Sequence, residues 1–117
     1  MFSRVARQAA AASLESVGWL REATESILKA YGAERDSALA VSVPYMKLCG
    51  LVIAGWLMAR AGAVAAAAAD GAEAGFYRAK LDSVRCYVEQ VLPQAQALAR
   101  VVCGGAGSVT QSDTALI

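Results

Sequence analysis

The sequence predicts an all-α fold, an antiparallel bundle of three long helices, and three observations lead to that class. Of the 117 residues, 57% are hydrophobic, with many alanines among them, and only two are prolines. Apolar residues recur at alternating steps of three and four, which places them on one face of a helix. Glycines and short polar stretches separate three such runs. A chain of this length forms one domain with a modest core.

The first helix is predicted from Val5 to Tyr31, with Gly32 as its C-terminal stop. One apolar stripe is expected to face the core. It contains Leu14, Val17, Leu20, Thr24, Ile27 and Tyr31. The segment from Met1 to Leu14 has two arginines, several alanines and serines, and no acid, a composition also found in transit peptides. We interpret it as part of the helix and expect a cytoplasmic protein, mitochondrial only if that segment is a transit peptide.

The second helix follows a linker at residues 33–42, and its start is open between two alternatives. Asp36 or Ser37 caps an early start, which leaves Pro44 inside a kinked helix, or Ser42 caps a later start with Pro44 in the first turn. Asp70 and Gly71 end or bend it. A membrane span is not expected, because the uncharged stretch between the cations at 47 and 60 is shorter than the roughly 20 residues that a bilayer requires.

Residues 43–60 of this helix are apolar on every side, which is typical of a helix buried among others. We therefore expect it to be the central helix, with close helix approaches at Gly50, Gly55 and Gly62. If the Trp56 indole is buried, Trp56→Ala is expected to cost about 3–5 kcal/mol. Two further helices cannot surround it completely, so some apolar surface is expected to stay exposed and to mark an interface.

The third helix is predicted from residues 72–75 to Cys103, with a heptad seam along its length. The seam contains Tyr77, Leu81, Val84, Val88, Val91, Ala95, Leu98 and Val102. Pro93 is expected to kink the helix without ending it, since the register continues past it. A split of the second or third helix would give four helices in all. We expect the helical domain to span residues 1–107 and residues 108–117 to form a flexible polar tail.

No group of residues predicts catalysis, cofactor binding or a metal site. The chain has no histidine, which removes the commonest general base and metal ligand. Its three cysteines are far apart and lie in or beside apolar runs, so they are expected to be buried thiols in a reducing compartment. The net charge of +1 and the scattered basic residues exclude a nucleic-acid reader.

Two separated motifs resemble a known protein family. Residues 44–52 read Pro-Tyr-Met-Lys-Leu-Cys-Gly-Leu-Val, and residues 55–60 read Gly-Trp-Leu-Met-Ala-Arg. Residues 76–81 and 84–93 then read Phe-Tyr-Arg-Ala-Lys-Leu and Val-Arg-Cys-Tyr-Val-Glu-Gln-Val-Leu-Pro. In this order they resemble the C-terminal helical domain of acyl-CoA dehydrogenases, in the 3-methylmercaptopropionyl-CoA dehydrogenase-like branch. The resemblance covers roughly residues 8–105.

The resemblance implies an accessory role in fatty acid metabolism. In that family the FAD, the acyl-CoA thioester and the catalytic glutamate belong to the preceding dehydrogenase body, so no catalytic residue transfers to this chain. FAD would be bound by the associated body. The partner implied is that body or a subunit of the same oligomer. The alternatives are a stand-alone helical protein that dimerises through the seam from Tyr77 to Val102, and a truncated remnant of a dehydrogenase.

Packing or interface candidates come from all of these patterns. They are Tyr45, Trp56, Arg60, Tyr77, Leu81, Val84, Val88, Val91 and Leu98. Arg60 is the sharpest of them, because a cation at the end of an apolar run either pairs at the bundle surface or contacts a partner.

Overall fold

The computed structural model describes residues 2–33 and 35–105, and all of their regular structure is helical. The elements in chain order are α1 (Phe2–Ala33), α2 (Arg35–Ala40), α3 (Ser42–Ala68), α4 (Ala74–Cys86), a π turn (Tyr87–Val91) and α5 (Gln94–Gly104). The prediction of an all-α bundle is confirmed. The polar tail at residues 108–117 lies outside the described residues.

Three rods, each antiparallel to the one before it, make up the bundle: α1, α3, and α4 joined to α5 through the π turn. At one end Phe2 and Val5 pack with Ala65 and Leu81. At the other end the core combines the second half of α1 with the start of α3 and with α5. It contains Ala23, Val41, Leu48, Val52, Leu92, Ala95, Ala99 and Val102. The rods give a long, thin molecule of 66 × 28 × 16 Å.

The buried face of α1 differs from the predicted stripe. Leu14 and Tyr31 are exposed, by 75% and 52% of their surface. The buried positions are instead the small residues Ala9, Ser13, Ser16 and Ala23. These follow the same steps of three and four, with Leu20 and Ile27 half-buried in the series. Small side chains allow close contact between the helices, and a pattern based on large apolar residues overlooks them.

Of the two starts considered for the second helix, the later one agrees with the structure. The short helix α2 occupies most of the predicted linker, with Asp36 in its first turn. Ser42 begins α3, and Pro44 lies in its first turn, where its missing N–H is not needed. No side chain caps the end; Val41 is the N-cap residue, and its carbonyl accepts from the Tyr45 N–H at 3.1 Å.

The central helix α3 is covered on one side only. Leu48 and Val52 are buried against α1 and α5, whereas Trp56 is 50% exposed. The expectation of a helix buried on every side was therefore wrong, and the 3–5 kcal/mol cost tied to a buried Trp56 does not apply. The expectation that an apolar surface stays exposed is confirmed.

Two of the three predicted close approaches along α3 are present. A Cβ at Gly55 would lie 2.9 Å from Leu92 Cδ1, and a Cβ at Gly62 would lie 3.2 Å from Val84 Cγ1. Gly50 has no such neighbour within 4 Å, because it lies on the exposed side of α3.

The third rod buries Leu81, Val84 and Val88 of its predicted seam and, further on, Ala95 and Val102, but after Val88 the buried position shifts by one residue at two places. In the π turn the Leu92 N–H donates to the Tyr87 carbonyl five residues back, at 2.9 Å. Such a turn adds one residue and rotates the following helix. Leu92 and Ala99 are consequently buried, whereas their predicted neighbours Val91 and Leu98 are half-buried.

Pro93 lies directly after this wide turn. Its backbone keeps right-handed helical dihedrals, φ −59° and ψ −22°, so the chain continues as predicted. The side-chain amide of Gln94 donates to the Gln90 carbonyl at 3.0 Å and so satisfies an acceptor beside the interruption. α5 ends at Gly104, and Gly105 follows with a φ of 74°, which glycine adopts without strain.

The connection between α3 and α4 is fixed by Arg78. Its Nε donates to the Ala69 carbonyl at 3.2 Å, and its Nη2 lies 3.5 Å from Asp70 Oδ1. The guanidinium also lies over the Phe2 ring, 5.1 Å from the centroid. A second ion pair joins Arg85 Nε to Glu89 Oε1 at 3.1 Å, four residues further along the third rod.

Candidate functional site

A continuous row of residues on α3 faces solvent. We call it the α3 outer row; it consists of Val43, Met46, Gly50, Ile53, Leu57, Arg60 and Val64. Its five large apolar side chains are between 52% and 68% exposed. Single exposed apolar residues are ordinary, but a contiguous row of them marks an interaction surface.

The outer row has the same period as the buried side of α3. Its members are separated by alternating steps of three and four, as in a helix that pairs with another helix. The buried residues on the opposite side form what we call the inner row, which consists of Leu48, Val52, Gly55, Gly62 and Ala65. Two apolar rows on opposite sides explain why residues 43–60 are apolar all round although only one side meets the bundle.

Two grooves flank the outer row. One, of about 390 Å³, lies between α3 and α4, and the other, of about 670 Å³, lies between α3 and α5. The first is lined by Leu57, Arg60, Ala61, Val64, Ala65, Phe76, Tyr77 and Lys80. The second is lined by Lys47, Gly50, Leu51, Gln94, Ala97 and Leu98. The row and the grooves form a surface on which an elongated apolar partner can lie.

The charges on this surface are all positive. α3 contains Lys47 and Arg60 and no acidic residue, and neither groove lining includes a carboxylate. The Arg60 guanidinium lies over the Trp56 ring, 5.0 Å from its centroid. Across residues 2–33 and 35–105 the ion pairs are those of Arg78 and Arg85, so Lys47 and Arg60 have no carboxylate partner there.

The predicted candidates divide between this surface and the core. Trp56 and Arg60 lie on the exposed side of α3, and Tyr77 lines the groove between α3 and α4. Leu98 is half-buried and lines the other groove, and Val91 is half-buried. Three further candidates, Leu81, Val84 and Val88, are buried within the bundle itself, where they pack in its core.

Most of the outer row was missed from the sequence. Ile53, Leu57 and Val64 were assigned to a helix buried all round, so no exposed face was distinguished within it. The sequence signal that separates the two sides of α3 is the position of the close-approach glycines, which lie on one side of the helix only. Gly55 and Gly62 mark the inner side, and positions two residues away mark the outer side.

Three partly buried hydroxyl groups have structural roles beside this surface. The Tyr87 O–H donates to the Leu51 carbonyl at 2.6 Å, and burial raises the pKa of this phenol above its usual 10.0. The Thr24 hydroxyl donates to the Leu20 carbonyl at 2.8 Å, so the Tyr45 hydroxyl, 2.7 Å away, donates to Thr24 Oγ1. Tyr45 therefore joins α3 to α1 rather than facing a partner.

The thiols do not form a site. Cys86 and Cys103 are exposed and Cys49 is half-buried, so the expectation of three buried cysteines was wrong. The described part of the chain contains no group of three His, Cys, Asp or Glu residues that could hold a metal ion.

One helix among the described residues, α3, is long and apolar enough to cross a membrane. Two features of α3 do not suit a membrane span, namely the cations Lys47 and Arg60 and the packing of its inner row. Arg60 would lie well inside such a span, at a high cost in free energy. The inner row is already packed against the other two rods.

Comparison with known proteins places the chain in a described family. The family model described as acetyl-CoA dehydrogenase C-terminal like matches residues 3–113, nearly the whole chain. No curated protein and no solved structure matches the chain significantly.

Proposed function

The chain belongs to the acetyl-CoA dehydrogenase C-terminal-like family, and from that premise we propose that it is an accessory domain that packs on a flavin-dependent acyl-CoA dehydrogenase body. The observation that carries the proposal is the α3 outer row. A bundle that leaves five large apolar side chains of one helix more than half exposed has a surface suited to a partner.

In this proposal the chain performs no chemistry of its own. FAD and the acyl-CoA substrate are bound by the dehydrogenase body, and the body belongs to the 3-methylmercaptopropionyl-CoA dehydrogenase-like branch that the motifs at residues 44–60 resemble. The domain's contribution is to assembly: it covers apolar surface on the body or at a subunit contact.

The test is native purification of the tagged chain from its source, with mass spectrometry and flavin absorbance as readouts. We expect a yellow complex that contains a dehydrogenase. Leu57→Glu, which places a charge in the outer row, is expected to abolish recovery of that complex. The matched control is Leu14→Glu, because Leu14 is the same residue type on α1 and is 75% exposed, against 52% for Leu57. Recovery of a colourless chain without a dehydrogenase would contradict the proposal.

A second candidate is a stand-alone homodimer. The route first considered, through the seam from Tyr77 to Val102, conflicts with the burial of Leu81, Val84 and Val88 within one chain. A dimer would have to use the α3 outer row. Sedimentation of the purified chain distinguishes the two candidates, because a homodimer forms without any flavoprotein.

A further inference from the structure

We propose that the partner of the α3 outer row is a helix of another protein that carries acidic side chains beside its apolar seam, and that charge selects against a second copy of α3. The inference rests on the proposed function and specifies the chemistry of the partner. It starts from the spacing of the row, which is the spacing of helix–helix pairing, and from the absence of any acid on α3.

The two cations fix where the partner's acids must lie. Lys47 and Arg60 are 13 residues apart in the sequence. At 1.5 Å per residue that separation is about 20 Å along the helix axis. A helix lying along the row would meet Lys47 near one end and Arg60 near the other. Carboxylates at a matching spacing would pair with both cations at the edges of an apolar contact.

A second copy of α3 would supply no carboxylates to pair with these cations. In an antiparallel pair that overlaps the whole row, Val43 of one copy lies opposite Val64 of the other. The same register places Lys47 of each copy level with Arg60 of its neighbour along the axis, with the two cations on opposite flanks of the contact. A parallel pair places each cation level with its own copy. Since α3 has no carboxylate, neither arrangement gives a cation an acidic partner, and both gather like charges along one interface, which selects against this partner.

The residues that line the two flanking grooves also favour an acidic partner, because their charged members are all cations. Lys80 lines the groove between α3 and α4 together with Arg60, and Lys47 lines the groove between α3 and α5. Apolar contact supplies the affinity in a helix-in-groove complex, and the charges at its edges set specificity and rate of association.

The experiment measures binding of the full-length chain to two synthetic helices. Both are about 21 residues long, enough to span the row, and share one leucine seam; one has glutamates 13 residues apart beside the seam, and the other has lysines there. We expect the glutamate helix to bind at least about tenfold more tightly at low salt, with the preference shrinking as salt is raised. Lys47→Glu combined with Arg60→Glu is expected to reverse the preference.

A matched control changes the same charges elsewhere. Arg21→Glu combined with Lys29→Glu reverses two exposed cations on α1 and is expected to leave the preference unchanged. Circular dichroism checks that every variant remains helical. In the native complex, a carbodiimide is expected to join the Lys47 amine to a partner carboxylate as an amide, with loss of water. Lys47→Arg keeps the charge but is expected to lose that product.

Four results would overturn the inference. They are equal binding of both helices, a homodimer that Leu57→Glu disperses, tighter binding to phosphatidylglycerol vesicles than to the glutamate helix, and binding that requires removal of residues 106–117. If the helix preference holds but no dehydrogenase is recovered, the proposed function alone fails. If a dehydrogenase complex persists after both charge reversals, the charge inference alone fails.

Discussion

Gly50 and Gly55 lie on opposite sides of α3 and provide a matched pair at the scale of single residues. Gly50→Ala is expected to stabilise the chain by about 0.5–1 kcal/mol, because alanine favours helix and the added Cβ meets nothing within 4 Å. Gly55→Ala places a Cβ 2.9 Å from buried Leu92. The overpacking, about 1–3 kcal/mol, is expected to cancel the gain or exceed it. Urea denaturation measures both. Equal stabilisation by the two variants would contradict the described packing of Gly55.

Tyr87 makes the stability depend on pH at the alkaline end. Burial raises the pKa of this phenol above 10.0, so the folded state holds the proton more tightly than the unfolded state. Its contribution is present below pH 10.0 and is lost as the pH rises through the folded pKa. Tyr87→Phe removes the hydrogen bond to Leu51, at a cost of about 0.5–1.5 kcal/mol near neutral pH.

The Tyr87→Phe variant is expected to lose less stability than the parent between neutral pH and alkaline pH, measured by denaturation across that range. Tyr31→Phe is the control, since it makes the same change of side chain at an exposed position. Parallel profiles for the parent and Tyr87→Phe would show that the phenol is not buried in solution.

Within the third rod, the π turn decides which leucine belongs to the core. A strict heptad places Leu98 in the seam and leaves Leu92 outside it, whereas the structure buries Leu92 to 2% exposure and half-buries Leu98. Leu92→Ala is therefore expected to cost about 2–5 kcal/mol, and Leu98→Ala clearly less. The comparison uses the same chemical change at both sites. A larger loss for Leu98→Ala, measured by urea denaturation, would mean that the heptad continues without the phase shift.

The elements were predictable from the sequence where large apolar residues alternate with polar ones. The buried seam positions Leu81, Val84 and Val88 of the third rod are such a case. The buried face of α1 was not predictable in that way, because Ala9 and Ser16 contribute little apolar character and their burial depends on close approach of α3. The phase shift after Val88 depends on backbone hydrogen bonding next to Pro93, which a repeat of side-chain types does not encode.

The same limit applies to the candidate surface. Trp56 and Arg60 stood out because a tryptophan and a cation interrupt an aliphatic run. Ile53 and Leu57 have the same composition as the inner row, so only the packed structure separates the two sides of α3.

At the scale of the whole molecule, the bundle is unusually long for its chain. A compact domain of 117 residues has a radius of gyration of about 13 Å, whereas this structure has 18.4 Å. Small-angle X-ray scattering of the dilute monomer is expected to give a rod-like profile with the larger value. A value near 13 Å would mean that the rods fold back on one another and cover the α3 outer row, which would remove the surface on which the proposed function depends.

The two apolar rows of α3 have a consequence for how the gene tolerates mutation. A charge at Leu48 or Val52 is expected to disrupt the fold, and a charge at Ile53 or Leu57 is expected to leave the fold intact and to alter only the proposed partner surface. A screen of a mutant library for folded protein alone would therefore accept charges in the α3 outer row. A screen for complex formation would reject those same changes. The positions that the first screen accepts and the second rejects would be the ones that contact the proposed partner, and they would be identified without a structure of the complex.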